Sequence, residues 1–243
     1  MHGETRGQMR GLINRFMTAY GSPNVLSQAS RNEAAARLAM FLAQGINGLP
    51  VYDLYNARYV LAFGGNLLES SRHVIGYLAA VAFMRRGGPN RGKLVAIHPR
   101  LGLTGVKADE WIPIRPGTYA ALALGMANVI INSDLYDAEF VRDFTFGFED
   151  FEDESRNTHQ GFKRLLLEQY TLARVEAITG VPAADIARLA GEFATTRPAV
   201  ALMPTEPAGG NSLATAMSIH ALNALVGSID TAGGVLVQRF PDL

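Results

Sequence analysis

The sequence predicts an α/β fold: a parallel sheet in a Rossmann-like, three-layer domain with helices on both faces. Three observations carry this. Arg58-Tyr59-Val60-Leu61-Ala62-Phe63 and Lys93-Leu94-Val95-Ala96-Ile97 are short, near-continuous apolar runs, the pattern of strands buried on both faces. The stretch between them, from about Ser71 to Arg85, reads as a helix, so the three form a βαβ unit with parallel pairing and a right-handed crossover. Ala199-Val200-Ala201-Leu202-Met203 is a further buried strand set between two helices.

The elements follow in order. Met9, Leu12, Ile13, Phe16 and Met17 recur at helical spacing over Thr5 to Ala19, and Gly21-Ser22-Pro23-Asn24 stops that helix. A second helix is expected from Ser30 to about Gln44. Ser30 as N-cap and Glu33 three residues on have the spacing of a capping box, and Gly45-Ile46-Asn47-Gly48 ends the helix. The first strand opens into Gly64-Gly65-Asn66. Gly87-Gly88-Pro89-Asn90 turns the chain into the second, which ends at His98-Pro99-Arg100. A short third strand fits Glu110 to Ile114. Helices are then expected over Ala120 to Ile131 and Asp137 to Phe144. The aromatic and acidic mixture from Phe144 to Gln160 reads as a solvated loop. Short helices follow over Gly161 to Tyr170 and Leu172 to Thr179. Pro182 to Thr195 is well marked, with Pro at its start and Ile186, Leu189 and Phe193 on one face. The last strand leads through Pro204 to Gly210 into a long helix from about Leu213 to Val226.

Composition narrows the function. At 243 residues, 48% hydrophobic and 18% charged, the chain can bury a sizeable core in one large or two small domains. Lys+Arg and Asp+Glu both number 22, so the formal charge is zero. Nucleic acid, which needs a basic footprint, is not an expected partner, and neither is a polybasic membrane contact. No apolar run approaches the roughly 20 residues that span a bilayer, so direct membrane insertion is not expected. There is no cysteine, which excludes disulfides, thiolate zinc, iron–sulfur ligation and a cysteine nucleophile within this chain. None of His2, His73, His98, His159 and His220 has metal-ligand spacing to another, so no metal site is expected from them. His220 lies on an apolar helix and reads as a core or interface residue. The phosphate loop of nucleotide hydrolases, the G-x-G-x-x-G fingerprint and the G-x-S-x-G elbow are all missing.

Ligands of open parallel sheets sit outside the carboxyl ends of the strands. Gly64-Gly65-Asn66 would let backbone N–H groups approach a phosphate, or is an ordinary tight turn. At the next strand end Arg100 could pair with a phosphate or carboxylate and His98 with a ribose or base, or both are solvated. Thr104 and Lys107 could extend a polar rim. Thr118, after Arg115-Pro116-Gly117, is placed to cap the helix that follows.

The ordered motifs resemble the molybdopterin oxidoreductase family of the dimethyl sulfoxide reductase type. The likeness runs through Arg15-Phe16 with Gly21-Ser22-Pro23-Asn24, Tyr52-Asp53 with Ala57 to Asn66, and Pro99-Arg100 with Thr104 and Ala108-Asp109. It continues through Arg115-Pro116-Gly117-Thr118, Tyr136-Asp137, Phe140-Val141 and Gly147-Phe148. Ile178-Thr179-Gly180-Val181, Leu222 to Gly227 and Gly233-Gly234-Val235 complete it. It spans nearly the whole chain. The resemblance implies molybdopterin guanine dinucleotide, with molybdenum or tungsten between two pterins, and electron or oxygen-atom transfer in anaerobic respiration. By position, Gly64, Gly65, Asn66 and Glu69 would line a guanosine diphosphate. Pro99, Arg100 and Thr104 would lie near its ribose, Gly117 and Thr118 would approach the guanine, and His98, Arg115 and Tyr119 are further cofactor-binding candidates. Residues 1–29 would belong to an adjoining α/β subdomain and 30–243 to the cofactor-binding domain, as a fragment of a longer protein. Expected partners are the rest of that polypeptide, an iron–sulfur electron-transfer subunit and a membrane quinone-reactive subunit. The resemblance allows the periplasmic or the cytoplasmic face of a respiratory complex.

Four departures qualify it. Asn32 stands where the family places its metal ligand, and a neutral amide is a poor ligand for a high-valent metal. His98 and Tyr119 each replace an acid, and the chain is far shorter than the family's catalytic subunits. An alternative is therefore a metal-free, non-catalytic branch like the molybdopterin-like subunits of menaquinone reductase or alternative complex III, serving as scaffold or electron relay. The isolated chain is expected to show no turnover. Asn32 is expected at the mouth of the cofactor cleft, near Gly65 and Arg239, the latter being a polar residue that follows Gly233-Gly234-Val235.

Overall fold

The computed structural model describes residues 7–25, 28–64, 66–69, 71, 73–86, 91–204 and 211–237, and for residues 7 and 28–32 the backbone alone. The first half contains α1 (Gly7–Tyr20), α2 (Gln28–Gln44), β1 (Val51–Tyr52), β2 (Tyr59–Phe63), α3 (Val74–Arg85), β3 (Lys93–Ile97), α4 (Leu103–Lys107), β4 (Glu110–Ile112) and α5 (Tyr119–Asn132). The second half contains α6 (Ala138–Phe144), β5 (Phe151–Glu152), β6 (Thr158–His159), α7 (Phe162–Gln169), α8 (Leu172–Thr179), α9 (Ala183–Thr195), β7 (Ala199–Leu202), α10 (Ser212–Leu225) and β8 (Val235–Leu236).

The main sheet has four parallel strands in the order β4-β3-β2-β7. β2 and β7 are apolar throughout, and β3 is apolar beyond Lys93, because both faces are covered. Tyr59, Leu61, Phe63, Val95, Ile97, Ala199 and Ala201 face a core shared with α5, α8, α9 and α10. Val60, Ala62, Leu94, Val200 and Leu202 face a smaller core closed by Ala80, Val81 and Met84 of α3. This is the expected three-layer arrangement. Successive strands step outward from β2 to β3 to β4, and β7 then returns to the other side of β2. The direction of winding therefore reverses between β2 and β7, where ligands of such sheets bind.

β7 is an edge strand, and its outer edge is closed by a side chain. Asn223 of α10, fully buried, accepts from Ala201 N and donates to Ala201 O, both at 2.8 Å. One amide thus does for β7 what a neighbouring strand would do, and satisfies backbone groups that are costly to bury unpaired. At the amino edge of the sheet, Tyr59 Oη donates to Glu192 at 2.7 Å, and Lys93 Nζ lies 2.8 Å from Glu110 and 2.7 Å from Glu192. Arg188 of α9 joins Glu110, Glu192 and Asp185, so α9 is tied to the starts of three strands.

Some expectations change. Ser30 does not cap α2: the helix already includes Gln28, which places Ser30 within its first turn. The third strand stops at Ile112 rather than Ile114. The segment from Phe144 to Gln160 contains a short antiparallel pair, Phe151↔His159 and Glu152↔Thr158. Its turn is organised by Asp153, which accepts from Ser155 N at 2.8 Å and Asn157 N at 2.9 Å. The five-residue α4 and the β1–β8 pairing lie in stretches to which the sequence reading assigned no element.

Candidate functional site

The register of β2, β3 and β4 pairs Phe63 with Ile97 and Ile97 with Ile112, so all three strands finish at one edge, about 4.8 Å apart. The segments beginning at Gly64, His98 and Pro113 therefore leave the sheet side by side.

Gly64 is fixed by crowding. Its φ is +58°, its N–H donates to Ile97 O at 2.8 Å, and a Cβ there would stand 2.9 Å from Pro204 Cβ and 3.0 Å from the Tyr119 ring. The ends of β2 and β7 and the start of α5 thus converge on this glycine. Tyr119 is buried and packs edge-on against Phe63, with ring centroids 6.4 Å apart. Asn66 is also buried. Gly65 and Arg239 lie outside the described residues, as does the side chain of Asn32, whose backbone is in α2.

At the end of β3, His98 Nδ1 lies 3.0 Å from Arg100 N and 2.9 Å from Arg100 O. It can accept from the first or donate to the second, so either tautomer folds the ring back onto its own turn. His98 O accepts from Trp111 Nε1 at 3.0 Å. Pro99 is half-buried between them, and Arg100 is exposed. Its guanidinium pairs with no carboxylate among the described residues.

Beyond β4, Arg115 is committed elsewhere. Its N–H donates to Thr179 O at 2.9 Å, and its guanidinium donates to Ala177 O and to Ile178 O at 3.3 Å. It therefore closes the negative end of α8. Gly117, at φ +78°, leaves open space where a Cβ would be, and its carbonyl accepts from Asn211 Nδ2 at 3.1 Å. Thr118 occupies the N-cap position of α5, but its hydroxyl donates to Arg115 O at 2.7 Å and makes no capping bond. Expected to cap, it instead leaves the first-turn N–H groups of α5 uncapped by its side chain.

Glu69 and Thr104 meet each other: Thr104 N donates to Glu69 Oε1 at 3.3 Å, and Leu68 N donates to Thr104 Oγ1 at 3.1 Å. Gly102, Asn211 and Pro204 were missed as members of this edge. Asn211 carried a usable signal, being an N-cap residue type just ahead of a helix. Among the described residues no three His, Cys, Asp or Glu side chains group to hold a metal ion.

The model of the family described as molybdopterin oxidoreductase matches residues 8–237. The chain belongs to the molybdopterin oxidoreductase family. It is 35% identical over 229 residues to the arsenate respiratory reductase molybdopterin-containing subunit of Chrysiogenes arsenatis, covering 88% of this chain and 26% of that one. It is 31% identical over 235 residues to the thiosulfate reductase molybdopterin-containing subunit of Salmonella typhimurium, covering 96% of this chain and 28% of that one. The solved structure of acetylene hydratase from Pelobacter acetylenicus superposes with a TM-score of 0.69 at 31% identity, covering 90% of this chain and 28% of that one. The chain thus spans less than a third of the length of these relatives. Membership implies a molybdopterin-type cofactor with molybdenum.

The donor set at the carboxyl edge suits an anionic group of this kind. It offers an exposed guanidinium without a carboxylate partner among the described residues, turns at two positive-φ glycines, and a helix start not capped by its own N-cap side chain.

Proposed function

We propose that this chain is the dinucleotide-binding part of a respiratory molybdopterin oxidoreductase and holds molybdopterin guanine dinucleotide across the carboxyl edge of its sheet. One observation carries the reading: the register brings the turn at Gly64 and the segment carrying Arg100 to one edge, beside the switch between β2 and β7, and the start of α5 packs against Gly64 there. Arg100 would pair with the diphosphate as a charge-assisted donor. Backbone N–H groups of the Gly64-Gly65-Asn66 turn would approach the same phosphates. Gly117 and Thr118 would face the guanine, and His98 and Pro99 the ribose. When bound, the molybdopterin supplies the electron or oxygen-atom transfer chemistry; these residues bind and orient it.

The relatives named as molybdopterin-containing favour this reading over the metal-free scaffold. Because the chain has no cysteine, electrons would reach it from clusters held elsewhere. We therefore infer an iron–sulfur electron-transfer subunit and a membrane quinone-reactive subunit as partners of the whole protein.

The test is pterin and molybdenum content of the full-length protein, with Arg100→Ala beside the wild type. The wild type should carry both. Arg100→Ala should retain the cofactor roughly 10- to 100-fold more weakly, the loss of a charge-assisted hydrogen bond of about 1.5–3 kcal/mol, with an unchanged unfolding midpoint. Wild-type protein without pterin would overturn the proposal.

A further inference from the structure

Glu69 and Thr104 resemble cofactor contacts by position, yet their geometry assigns them another task. We infer that Glu69, Gly102 and Thr104 form a latch that holds the two phosphate-facing turns of the site as one rigid lip, and that Glu69 and Thr104 do not touch the cofactor. This rests on the cofactor-site reading above and gives these residues a positioning role within it.

The latch is reciprocal. The loop after β2 gives Leu68 N–H to the Thr104 hydroxyl at 3.1 Å, and the start of α4, just after β3, gives Thr104 N–H to the Glu69 carboxylate at 3.3 Å. Each loop thus closes its partner's hydrogen-bonding need with a side chain. Thr104 is 2% exposed, which puts its hydroxyl under the surface that a ligand would meet. Gly102 makes the seat: a Cβ there would stand 2.5 Å from Glu69 Oε1, so a larger residue would evict the carboxylate.

Both loops are anchored on their far sides. Leu67 and Leu68 are buried in the smaller core, and Ser71 Oγ donates to Leu67 O at 2.7 Å. On the other side Gly102 N donates to Arg100 O at 3.0 Å. Gly64 and Asn66 stand just before one half of the latch and His98 to Arg100 before the other. The latch therefore sets the distance between the Gly64 turn and the Arg100 guanidinium. Charge supports the assignment. Glu69, although exposed, directs one carboxylate oxygen to the Thr104 N–H, which draws its charge toward that donor.

The experiment compares Thr104→Val, Thr104→Ser, Glu69→Ala and Glu69→Gln in the full-length protein. Valine keeps the shape of threonine without the acceptor; serine and glutamine keep the acceptor. Hydrogen exchange at the Leu68 and Thr104 N–H groups is read in cofactor-free protein, and pterin retention after loading. We expect Thr104→Val to speed exchange at Leu68 about tenfold and Glu69→Ala to do the same at Thr104. Both should weaken pterin retention at an unchanged unfolding midpoint, and Thr104→Ser and Glu69→Gln should restore both readouts. Weaker retention with unchanged exchange in cofactor-free protein means direct contact and overturns the latch. Altered exchange in a protein whose wild type binds no pterin overturns the cofactor reading and with it the purpose assigned to the latch, so the two failures are told apart.

Discussion

His220 should make this fold acid-sensitive in a defined window. It sits on α10 with 4% of its surface exposed, and burial pushes its imidazole down to about 4. Its Nδ1 has no hydrogen-bond partner among the described residues, so nothing there rewards a proton. The unfolded chain protonates this group near pH 6.5. Between about pH 6.5 and about 4 the unfolded state thus binds a proton that the folded state refuses. Stability is complete above that window and falls as the pH drops through it. Going from pH 7 to pH 5 should cost about 2 kcal/mol from this residue alone. The measurement is urea unfolding at both pH values for wild type and His220→Leu, which removes the titrating group and leaves an apolar side chain in its place. The variant should lose about 2 kcal/mol less than the wild type between pH 7 and pH 5. Carboxylate contributions shared by both proteins cancel in that difference. Equal losses in the two proteins would mean that His220 titrates normally and that its burial carries no such penalty.

Three further substitutions probe the frame around the site. Gly64→Ala puts a Cβ against Pro204 and Tyr119 at positive φ, and should lower the unfolding free energy by about 2–4 kcal/mol; a loss below about 0.5 kcal/mol would show that both neighbours yield. Asn223→Leu keeps the volume but leaves Ala201 N–H and C=O unpaired, costing about 2–4 kcal/mol in denaturant titration, and the freed edge should raise light scattering on storage. At the amino edge, burial opposes ionisation of Glu110, but hydrogen bonds from Arg188 and Lys93 outweigh it and hold the carboxyl below its ordinary range. The stability it confers is therefore present above the usual glutamate range and lost as the pH falls through the depressed value; Glu110→Gln should cost about 1 kcal/mol at pH 7 and show less of that acid loss.

The strands were legible because burial on both faces leaves an unbroken apolar run, and Lys93–Ile97 was placed to the residue. Helix ends were less so. Ser30 and Glu33 have capping-box chemistry, yet α2 extends past them, since a two-residue signal does not exclude an earlier start. Thr118 shows the same limit: residue type marked the N-cap position, while the nearby Arg115 carbonyl decided what the hydroxyl binds. β1 and β8 are two-residue strands far apart in sequence, and no local periodicity encodes such a pair. The positions of Gly64, His98 and Arg100 at strand ends were readable because strand ends are readable. The Glu69–Thr104 pairing was not, because it depends on how two loops lie against each other.

The motifs that mark the family are also paired in space, and this separates framework from site. Arg115, from one motif, closes the helix that ends at Thr179, from another. Asp137 N donates to Leu225 O at 2.7 Å, and a Cβ on Gly227 would stand 2.6 Å from Asp137 Oδ2, so a third motif seats against a fourth. Asn223, in that same fourth motif, closes the edge of β7. Each pairing fixes one element against another, through a side chain at Arg115 and Asn223 and through the backbone at Asp137. Such residues hold the framework around the candidate site in place. Glu69, Thr104 and Arg115 each make such a bond, and the Tyr119 ring packs over Gly64. On the proposed reading, the Gly64 turn, Arg100 and the open turn at Gly117 are left to meet a diphosphate, with N–H groups and a positive charge suited to it.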